Sequence, residues 1–370
     1  MMKTIGLISA NYKGEGFGEL TENRTLASLP YGGRYRLIDF ALSNMVNSGI
    51  TTVGIISPYN SGSLIDHIGI GNPWSLGRKR GGLFLMPGSL YGVETGGDRF
   101  IIRDILKNAS FLTRDGADFV IISSSSDVYN MDYIPLIEAH AQSGRQMTMV
   151  FKKMPRGEDL AGKGYCLEID EKGKVTALMA ETSGWSNYFM DVCIANREFL
   201  LRFLDWFGAL EYRDMFDVIR DNLDKIDVGA FEFRGYFGKI SNTADLLQVN
   251  KGMTDYGIRN EVFCNPARPI FTKTQDEAPV FYTPDSDIRN STISAGCRIE
   301  GKVEDSTIFR SVNIGKGSII RNSVIMMHGD IGEDVVLDNV ICDKYVKIKD
   351  GVKIYGTGDK PIIIGKEMTI

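Results

Sequence analysis

The chain has 370 residues, of which 43% are apolar and 24% are charged, and its length predicts two domains rather than one core. The formal net charge of −5 gives no support to nucleic-acid binding, and the five widely spaced cysteines, without a C-x-x-C pair, indicate free thiols rather than a disulfide framework or a zinc site. The apolar run within M-M-K-T-I-G-L-I-S-A is too short for a signal peptide and no stretch reaches transmembrane length, so we expect a cytoplasmic protein without membrane contact.

The first part of the chain alternates strand and helix patterns. Short, apolar and β-branched runs predict strands at 5–9, 51–57, 118–123 and 146–151. Helical patterns lie between them, at 38–49 and 98–108, and in the first of these we expect Asp39 to cap the start and Gly49 to follow the end. A hairpin pattern covers 166–178. These elements predict an α/β, Rossmann-like domain with a mostly parallel sheet.

A different periodicity begins after a proline-punctuated, aperiodic stretch at 264–279. Aliphatic residues then recur about every five or six positions, most clearly in I-G-K-G-S-I (314–319) and I-G-E-D-V-V (331–336). Hexapeptide spacing of this kind is typical of a left-handed parallel β-helix. The predicted division is a first domain at 1–255, a linker at 256–284 and a β-helix at 285–370.

The predicted strand at 118–123 ends in four serines, Ser123 to Ser126. In an open α/β sheet the ligand crevice lies outside the carboxyl ends of the strands, where a catalytic chain is expected to place a carboxylate. One interpretation is that these hydroxyls cap the strand end and bond to nearby backbone without any ligand.

Two stretches carry a resemblance to a known family. G-G-R-Y-R-L-I-D-F-A-L-S-N-M-V-N-S-G-I (32–50) is very similar to the form G-G-x-Y/F-R-I-I-D-F-x-L-S-N-C-x-N-S-G-I of the ADP-glucose pyrophosphorylase (glucose-1-phosphate adenylyltransferase) family. V-I-I-S-S-S-S-D-V-Y-N-M-D-Y (120–133) resembles that family's V-I-L-A-G-D-H-I-Y-x-x-D-Y. The resemblance implies a nucleotidyltransferase domain followed by a left-handed β-helix, a tetramer, and synthesis of ADP-glucose and pyrophosphate from ATP and glucose 1-phosphate.

The residues that handle the nucleotide in the family are changed here. In the glycine-rich loop, Asn11 and Tyr12 replace the paired glycines, Gly16 replaces the arginine, and Glu15 adds a negative charge. Downstream, Arg24 matches the family, but Leu26 stands where the resemblance implies a lysine near the triphosphate. A leucine side chain cannot donate a hydrogen bond to phosphate.

The family's metal and sugar-phosphate positions are changed as well. Ser126 and Lys239 stand where the resemblance implies the two metal-holding aspartates, and Glu181 stands at the lysine that grips the sugar phosphate. Asp127 follows Ser126, but neighbouring strand residues point to opposite faces, so we do not expect it to substitute. Mg²⁺ prefers carboxylate oxygens, so we expect no cofactor on this chain and Mg²⁺ only on a catalytic partner.

These departures predict a catalytically degenerate chain that resembles the D-type regulatory subunit of the family. Its expected partner is a catalytic ADP-glucose pyrophosphorylase subunit in a hetero-oligomer, most simply a tetramer. An active adenylyltransferase with altered residues is the alternative. A β-helix acyltransferase, the third hypothesis, would need a catalytic histidine, and only His328 lies in the repeats.

Two candidate anion sites remain open. Ser126 and Lys239 are a candidate metal-free anion site, with the lysine ammonium where Mg²⁺ stands in the family. Arg24, Arg34 and Arg36 are candidates for binding a phosphorylated effector, although arginines beside a helix start are also common as surface charges or ion pairs.

Overall fold

The computed structural model describes residues 2–11, 16–57, 61–89, 100–154, 164–179 and 186–370. The described strands that precede the β-helix are β1 (Thr4–Ser9), β2 (Pro30–Tyr31), β3 (Tyr35–Arg36), β4 (Thr52–Ser57), β5 (Gly82–Pro87), β6 (Phe119–Ser124), β7 (Met147–Met154), β8 (Cys166–Ile169), β9 (Val175–Met179), β10 (Ser186–Asn196) and β11 (Val228–Glu232). The described helices are α1 (Ile38–Asn47), α2 (Gly62–Ile68), α3 (Ile102–Lys107), α4 (Ala109–Leu112), α5 (Ile134–Ser143), α6 (Arg197–Phe207), α7 (Met215–Arg220), α8 (Thr243–Lys251) and α9 (Tyr256–Phe263). Short 3₁₀ turns lie at Gly18–Thr21, Leu26–Ser28, Asn72–Trp74, Arg114–Gly116, Gly208–Leu210 and Gly252–Thr254.

The first domain is a nine-stranded mixed sheet with the order β11-β7-β10-β6-β1-β4-β5, from which the β8–β9 hairpin branches at β10. β1 pairs in parallel with β4 and β6, and β10 is antiparallel to both β6 and β7. The four strands predicted from the sequence and the hairpin are therefore confirmed. So is the mostly parallel, Rossmann-like character of the core.

Both faces of the sheet are covered. Along β1, Ile5 and Leu7 belong to one buried apolar cluster and Ile8 to another, because successive strand residues point to opposite faces. Helix α6 packs in the first cluster through Phe199, and α1 packs in the second through Leu42. Burial on both faces explains why these strands are continuous apolar runs.

Helix α1 corrects one detail of the sequence prediction. Its N-cap residue is Leu37, and Asp39 lies inside the first turn rather than at the cap. The Asp39 carboxylate accepts a hydrogen bond from the Arg36 backbone N–H at 2.9 Å and contacts His67 Nε2 at 2.6 Å. Gly49 has a φ of +76° after the helix end, where a glycine is predicted.

The second domain is a left-handed parallel β-helix, as predicted. Its described strands form three five-stranded parallel sheets, one for each side of the coil. The first contains β12 (Phe281–Tyr282), β15 (Arg298–Ile299), β18 (Asn313–Ile314), β21 (Asp330–Ile331) and β24 (Lys347–Ile348). The second contains β13 (Asp287–Arg289), β16 (Lys302–Glu304), β19 (Ile319–Arg321), β22 (Val336–Asp338) and β25 (Lys353–Tyr355). The third contains β14 (Thr292–Ile293), β17 (Thr307–Ile308), β20 (Val324–Ile325), β23 (Val340–Cys342) and β26 (Ile362–Ile364).

Stacked asparagine and aspartate residues turn one corner of the β-helix. Asn290, Asp305, Asn322 and Asn339 have φ values of 42°, 49°, 46° and 54°, which Asn and Asp tolerate better than most side chains. The aliphatic residue that each strand points inward forms the buried core of the coil. The repeat spacing seen in the sequence is therefore the spacing of these inward positions.

The β-helix packs directly on the first domain. Leu26 and Phe40 of the first domain share a buried apolar cluster with Phe309 and Met326 of the β-helix. The stretch predicted as a linker begins with helix α9, and the first coil strand starts at Phe281. In the part of the chain that the structure describes, no helix has both the length and the apolar character needed to cross a membrane.

Candidate functional site

The four serines at the end of β6 bond chiefly to neighbouring protein groups. Ser123 Oγ donates to the Ser124 carbonyl at 2.8 Å, and Ser125 Oγ donates to the Ser9 carbonyl at 2.8 Å. Ser124 Oγ donates to Asp127 Oδ2 at 3.1 Å and lies 3.4 Å from Ser126 Oγ. All four serines are buried, and their hydroxyls make hydrogen bonds within the protein. This agrees with the interpretation that they cap the end of the strand.

A buried ion triad lies beside this serine run. Lys239 Nζ is 3.2 Å from Asp191 Oδ2 and 3.4 Å from Asp127 Oδ1. The exposed fractions of the three side chains are 6% for Lys239, 6% for Asp191 and 0% for Asp127. We call Asp127, Asp191 and Lys239 the crevice triad. It holds two carboxylates and one ammonium out of solvent.

Local backbone geometry brings the crevice triad together. Val128 and Gly238 exchange two backbone hydrogen bonds of 2.9 and 2.8 Å, which places Lys239 next to Asp127. Asp191 lies in β10 where the pairing with β7 shifts register, and its φ of +55° is in the left-handed region. An irregularity of this kind re-aims a side chain, and such strained residues concentrate at functional positions.

The position of Asp127 differs from the sequence prediction. Strand alternation predicts that Asp127 points away from the crevice, because its neighbour Ser126 would face it. Strand β6 ends at Ser124, however, so residues 125–127 are not pleated and alternation does not apply to them. The Asp127 carboxylate faces Lys239 in the crevice.

The groups at this position do not fit a divalent cation. An ammonium already lies between the two carboxylates, and a cation placed there would meet its positive charge. Among the residues that the structure describes, no group of three or more His, Cys, Asp or Glu side chains is placed to hold a metal ion. The predicted Ser126–Lys239 anion site stays a prediction, and these contacts do not favour it, because two carboxylates neutralise the ammonium.

The nucleotide-handling positions have other roles where they are described. Leu26 is 3% exposed and packs in the apolar cluster shared with the β-helix, so it is part of the domain contact. Asn11 donates from its side chain to the Ser89 carbonyl at 2.9 Å. Tyr12, Glu15 and Glu181 lie outside the described residues.

Positive groups from both domains meet where the β-helix contacts the first domain. Arg24 is 7% exposed and forms a buried ion pair with Asp343, and Arg36 Nη1 donates to the Ser63 hydroxyl at 2.9 Å. Burial together with the charges of Arg36 and Arg24 lowers the pKa of Lys344 to about 7. We call this set the junction cluster: Arg24, Arg36, Arg310, Lys344 and Lys366.

Of the predicted effector-binding residues, Arg24 and Arg36 belong to the junction cluster, and Arg34 is exposed beside them in sequence. Burial lowers the pKa of Arg36 to about 10, while nearby Asp39 opposes that shift. Both arginines make bonds within the protein, so their binding of an effector stays a prediction.

Sequence reasoning missed two residues of these sites. Asp191 is the lone charge in the apolar run from Tyr188 to Ala195, a signal that could have singled it out. Lys344 carries no such signal, since it is separated from Arg36 by more than three hundred positions and nothing in its repeat distinguishes it.

Two family models match the chain. The first, described as nucleotidyl transferase, covers residues 6–179. The second, described as a GlmU-like C-terminal hexapeptide domain, covers residues 280–360. The two matches follow the same order as the two observed domains.

Several curated relatives are similar over nearly their full length. A glucose-1-phosphate adenylyltransferase of Clostridium perfringens (strain 13 / Type A) is 30% identical over 99% of this chain and 95% of the relative. A glycogen biosynthesis protein GlgD of Bacillus subtilis (strain 168) is 30% identical over 98% of this chain and 95% of the relative. A glucose-1-phosphate adenylyltransferase of Fervidobacterium nodosum is 30% identical over 96% of this chain and 86% of the relative.

Proposed function

The chain belongs to the glucose-1-phosphate adenylyltransferase family, and we propose that within it this protein is a non-catalytic or very weakly active regulatory subunit of ADP-glucose pyrophosphorylase. Its role would be to modulate the synthesis of ADP-glucose from ATP and glucose 1-phosphate for glycogen. A relative named as an adenylyltransferase and one named as a glycogen biosynthesis protein are each 30% identical to this chain, so sequence identity does not distinguish a catalytic from a regulatory role. The observation that favours the regulatory role is the crevice triad.

The chemistry of adenylyl transfer supports this proposal. When a sugar phosphate attacks the α-phosphorus of ATP, negative charge grows on the transferring group and on the leaving pyrophosphate, and Mg²⁺ with cationic side chains must neutralise it. The crevice triad instead presents two buried carboxylates around one lysine. Removing one electrostatic stabiliser typically costs about 3–4 kcal/mol of transition-state stabilisation, although losses within one site are not additive.

We propose that the missing activity is supplied by a catalytic paralogue in a hetero-oligomer, most simply a heterotetramer. The stretch 32–50 keeps a family-like sequence, and its core positions Ile38, Phe40, Leu42 and Met45 are fully buried. The stretch also contacts the β-helix, since Ser294 Oγ donates to the Gly33 carbonyl at 2.8 Å and the charge of Arg36 acts on Lys344. A contact of this kind suits a subunit that passes a conformational change from one domain to the other. Both this partner and a cytoplasmic location remain predictions.

The junction cluster is the proposed site for a phosphorylated effector. It brings positive groups of both domains together, so an anion bound there would touch the first domain and the β-helix at once. Such a ligand changes the partner's kinetics only if it binds the active and inactive states of the complex with different affinity.

The test is to co-express this chain with the catalytic paralogue, purify on a tag carried by this chain, and measure kinetics of the complex. We expect the paralogue to co-purify and its KM, kcat or effector response to differ from those of the paralogue alone. In complexes with Lys344→Gln the effector response should weaken, whereas the exposed Lys349→Gln serves as the matched control. The proposal fails if no paralogue is recovered or if its kinetics are the same with and without this subunit.

A further inference from the structure

We propose that the amino ends of β1, β4 and β5 form a binding site for an amphipathic anion, in which an aliphatic chain is joined to a phosphate-bearing head. These strands are parallel to one another and to β6, and the crevice triad follows the carboxyl end of β6. The proposed site therefore lies at the opposite edge of the sheet. It is separate from the nucleotide-handling positions and the junction cluster, and it does not depend on the regulatory role.

The apolar part of the site is a cavity of about 560 Å³ between the start of β1, the end of α1 and helix α5. Small-molecule sites commonly have volumes of about 300–1,000 Å³. The apolar side chains that line the cavity are Met2, Ile5, Ile50, Ile134, Ile137 and Ala141. Met2 is 52% exposed and Ile134 is 37% exposed, so part of this apolar lining is in contact with solvent. Since these side chains are aliphatic, the cavity suits a flexible chain better than a flat ring.

The rim of this cavity is held in place by bonds between the strand starts. Lys3 Nζ donates to the Asp115 carbonyl at 3.1 Å, and Thr52 Oγ1 donates to Asp115 Oδ2 at 2.5 Å. The Gly82 N–H donates to the Thr51 carbonyl at 2.7 Å. Because the rim is already ordered, a ligand would not have to order it on binding, and that favours affinity.

A second cavity, of about 830 Å³, adjoins the first at the start of β5 and supplies positive charge. Arg80, Gly81 and Asp115 line both cavities. The cations in the lining of the second cavity are Arg78, Lys79, Arg80 and Arg114. All four are exposed, and none forms an ion pair with a residue that the structure describes. Grouped cations that no carboxylate neutralises attract a polyanion, and phosphate is a strong acceptor for arginine.

The two parts together specify the class of ligand. A neutral apolar molecule would make no use of the four cations, and inorganic phosphate would leave the aliphatic lining in water. Thr4 also lines the apolar cavity, and its Oγ1 is buried without a hydrogen-bond partner among the described residues. Buried hydroxyls normally have a partner, so an oxygen of the ligand would satisfy this one. A chain joined to a phosphate matches the apolar, basic and polar groups at once.

The experiment measures binding of decyl phosphate to the full chain by isothermal titration calorimetry. We expect one decyl phosphate per chain. Octyl phosphate has two fewer methylenes to bury and should bind about tenfold more weakly, and inorganic phosphate should bind about 100-fold more weakly or less. Decanoyl-coenzyme A carries a similar chain on a larger polyanionic head. Binding of both long-chain ligands supports the inference, and the tighter of the two shows whether the head is nucleotide-linked or a simple lipid phosphate.

Matched variants test the two parts of the site separately. Ile134→Glu places a carboxylate in the apolar cavity and should weaken decyl phosphate binding by about tenfold or more. Gln142→Glu adds the same charge at an exposed position of α5 outside the lining and should leave binding unchanged. Arg80→Gln should weaken binding about threefold or more, whereas Lys349→Gln in the β-helix should not change it. Ile134 and Arg80 are exposed, and an unchanged melting temperature shows that each variant is folded.

Two results would overturn the inference. One is the absence of saturable decyl phosphate binding up to about 1 mM. The other is binding that does not depend on chain length or that Ile134→Glu and Gln142→Glu weaken equally. These measurements use this chain alone, so a negative result leaves the regulatory proposal standing, because that proposal is tested with the catalytic paralogue.

Discussion

The binding of a dianion at the junction cluster should depend on pH through Lys344. Burial and the charges of Arg36 and Arg24 lower the pKa of Lys344 to about 7, so in the free protein this lysine loses its charge near neutrality. A bound dianion favours the charged lysine and raises its pKa, so binding takes up a proton. Affinity should therefore fall as pH rises above 7.

The magnitude follows from the charged fraction of Lys344. With a pKa of about 7, roughly three quarters of the lysine is charged at pH 6.5 and about 3% at pH 8.5, which corresponds to an affinity loss of about 25-fold if only the charged form binds. Arg36, with a pKa of about 10, stays charged across this range. His328, whose pKa burial lowers from its ordinary value, contributes little above pH 6.5.

The assay is isothermal titration calorimetry with sulfate, which is a dianion over the whole pH range and so does not titrate itself. Two buffers with different ionisation enthalpies should report uptake of about 0.9 proton per sulfate at pH 8. Lys344→Gln should remove both the pH dependence and the proton uptake, while Lys349→Gln should keep them. Sulfate affinity in the wild type that is constant from pH 6.5 to 8.5 would refute the reasoning.

Three further predictions concern the domain contact. Arg24→Met should lower the free energy of unfolding in urea by about 3–5 kcal/mol because it leaves the Asp343 carboxylate buried without its partner, and Arg24→Met/Asp343→Leu should recover most of that loss. Leu26→Lys restores the family's lysine but would place an ammonium in an apolar cluster. It should therefore lower the free energy of unfolding by an amount on the order of 3 kcal/mol or more relative to Leu26→Met. Equal urea midpoints for the two variants would contradict this. Deletion of 281–370 should change the assembly state seen by size-exclusion chromatography with light scattering, and an unchanged assembly state would count against the β-helix as an assembly element.

Local patterns predicted the fold well because the signals that specify it are short-range. The apolar runs of β1 and β6 are buried on both faces, and the repeat spacing of residues such as Ile314 and Ile331 is the coil spacing itself. The predicted N-cap of α1 was wrong. Asp39 lies inside the first turn, where its carboxylate contacts His67 Nε2 of α2, and no local sequence pattern specifies that contact.

The candidate site was predicted only in part, because its contacts join residues that are far apart in the sequence. Matching positions with the family singled out Ser126 and Lys239, but the partners of the lysine depend on where β6 stops and on a register shift in β10. Asp127 and Asp191 become neighbours of Lys239 only through those two irregularities. Long-range pairing of this kind is set by tertiary structure rather than by residue spacing.

We propose that this chain regulates ADP-glucose synthesis without carrying it out. The most direct measurement is the rate of ADP-glucose formation from ATP, Mg²⁺ and glucose 1-phosphate by the purified chain alone, by the catalytic paralogue alone, and by the mixture. We expect almost no turnover from the chain alone and a changed kcat, KM or effector response in the mixture. Turnover above about 1 s⁻¹ by the chain alone, which is ordinary for an enzyme, would contradict the account.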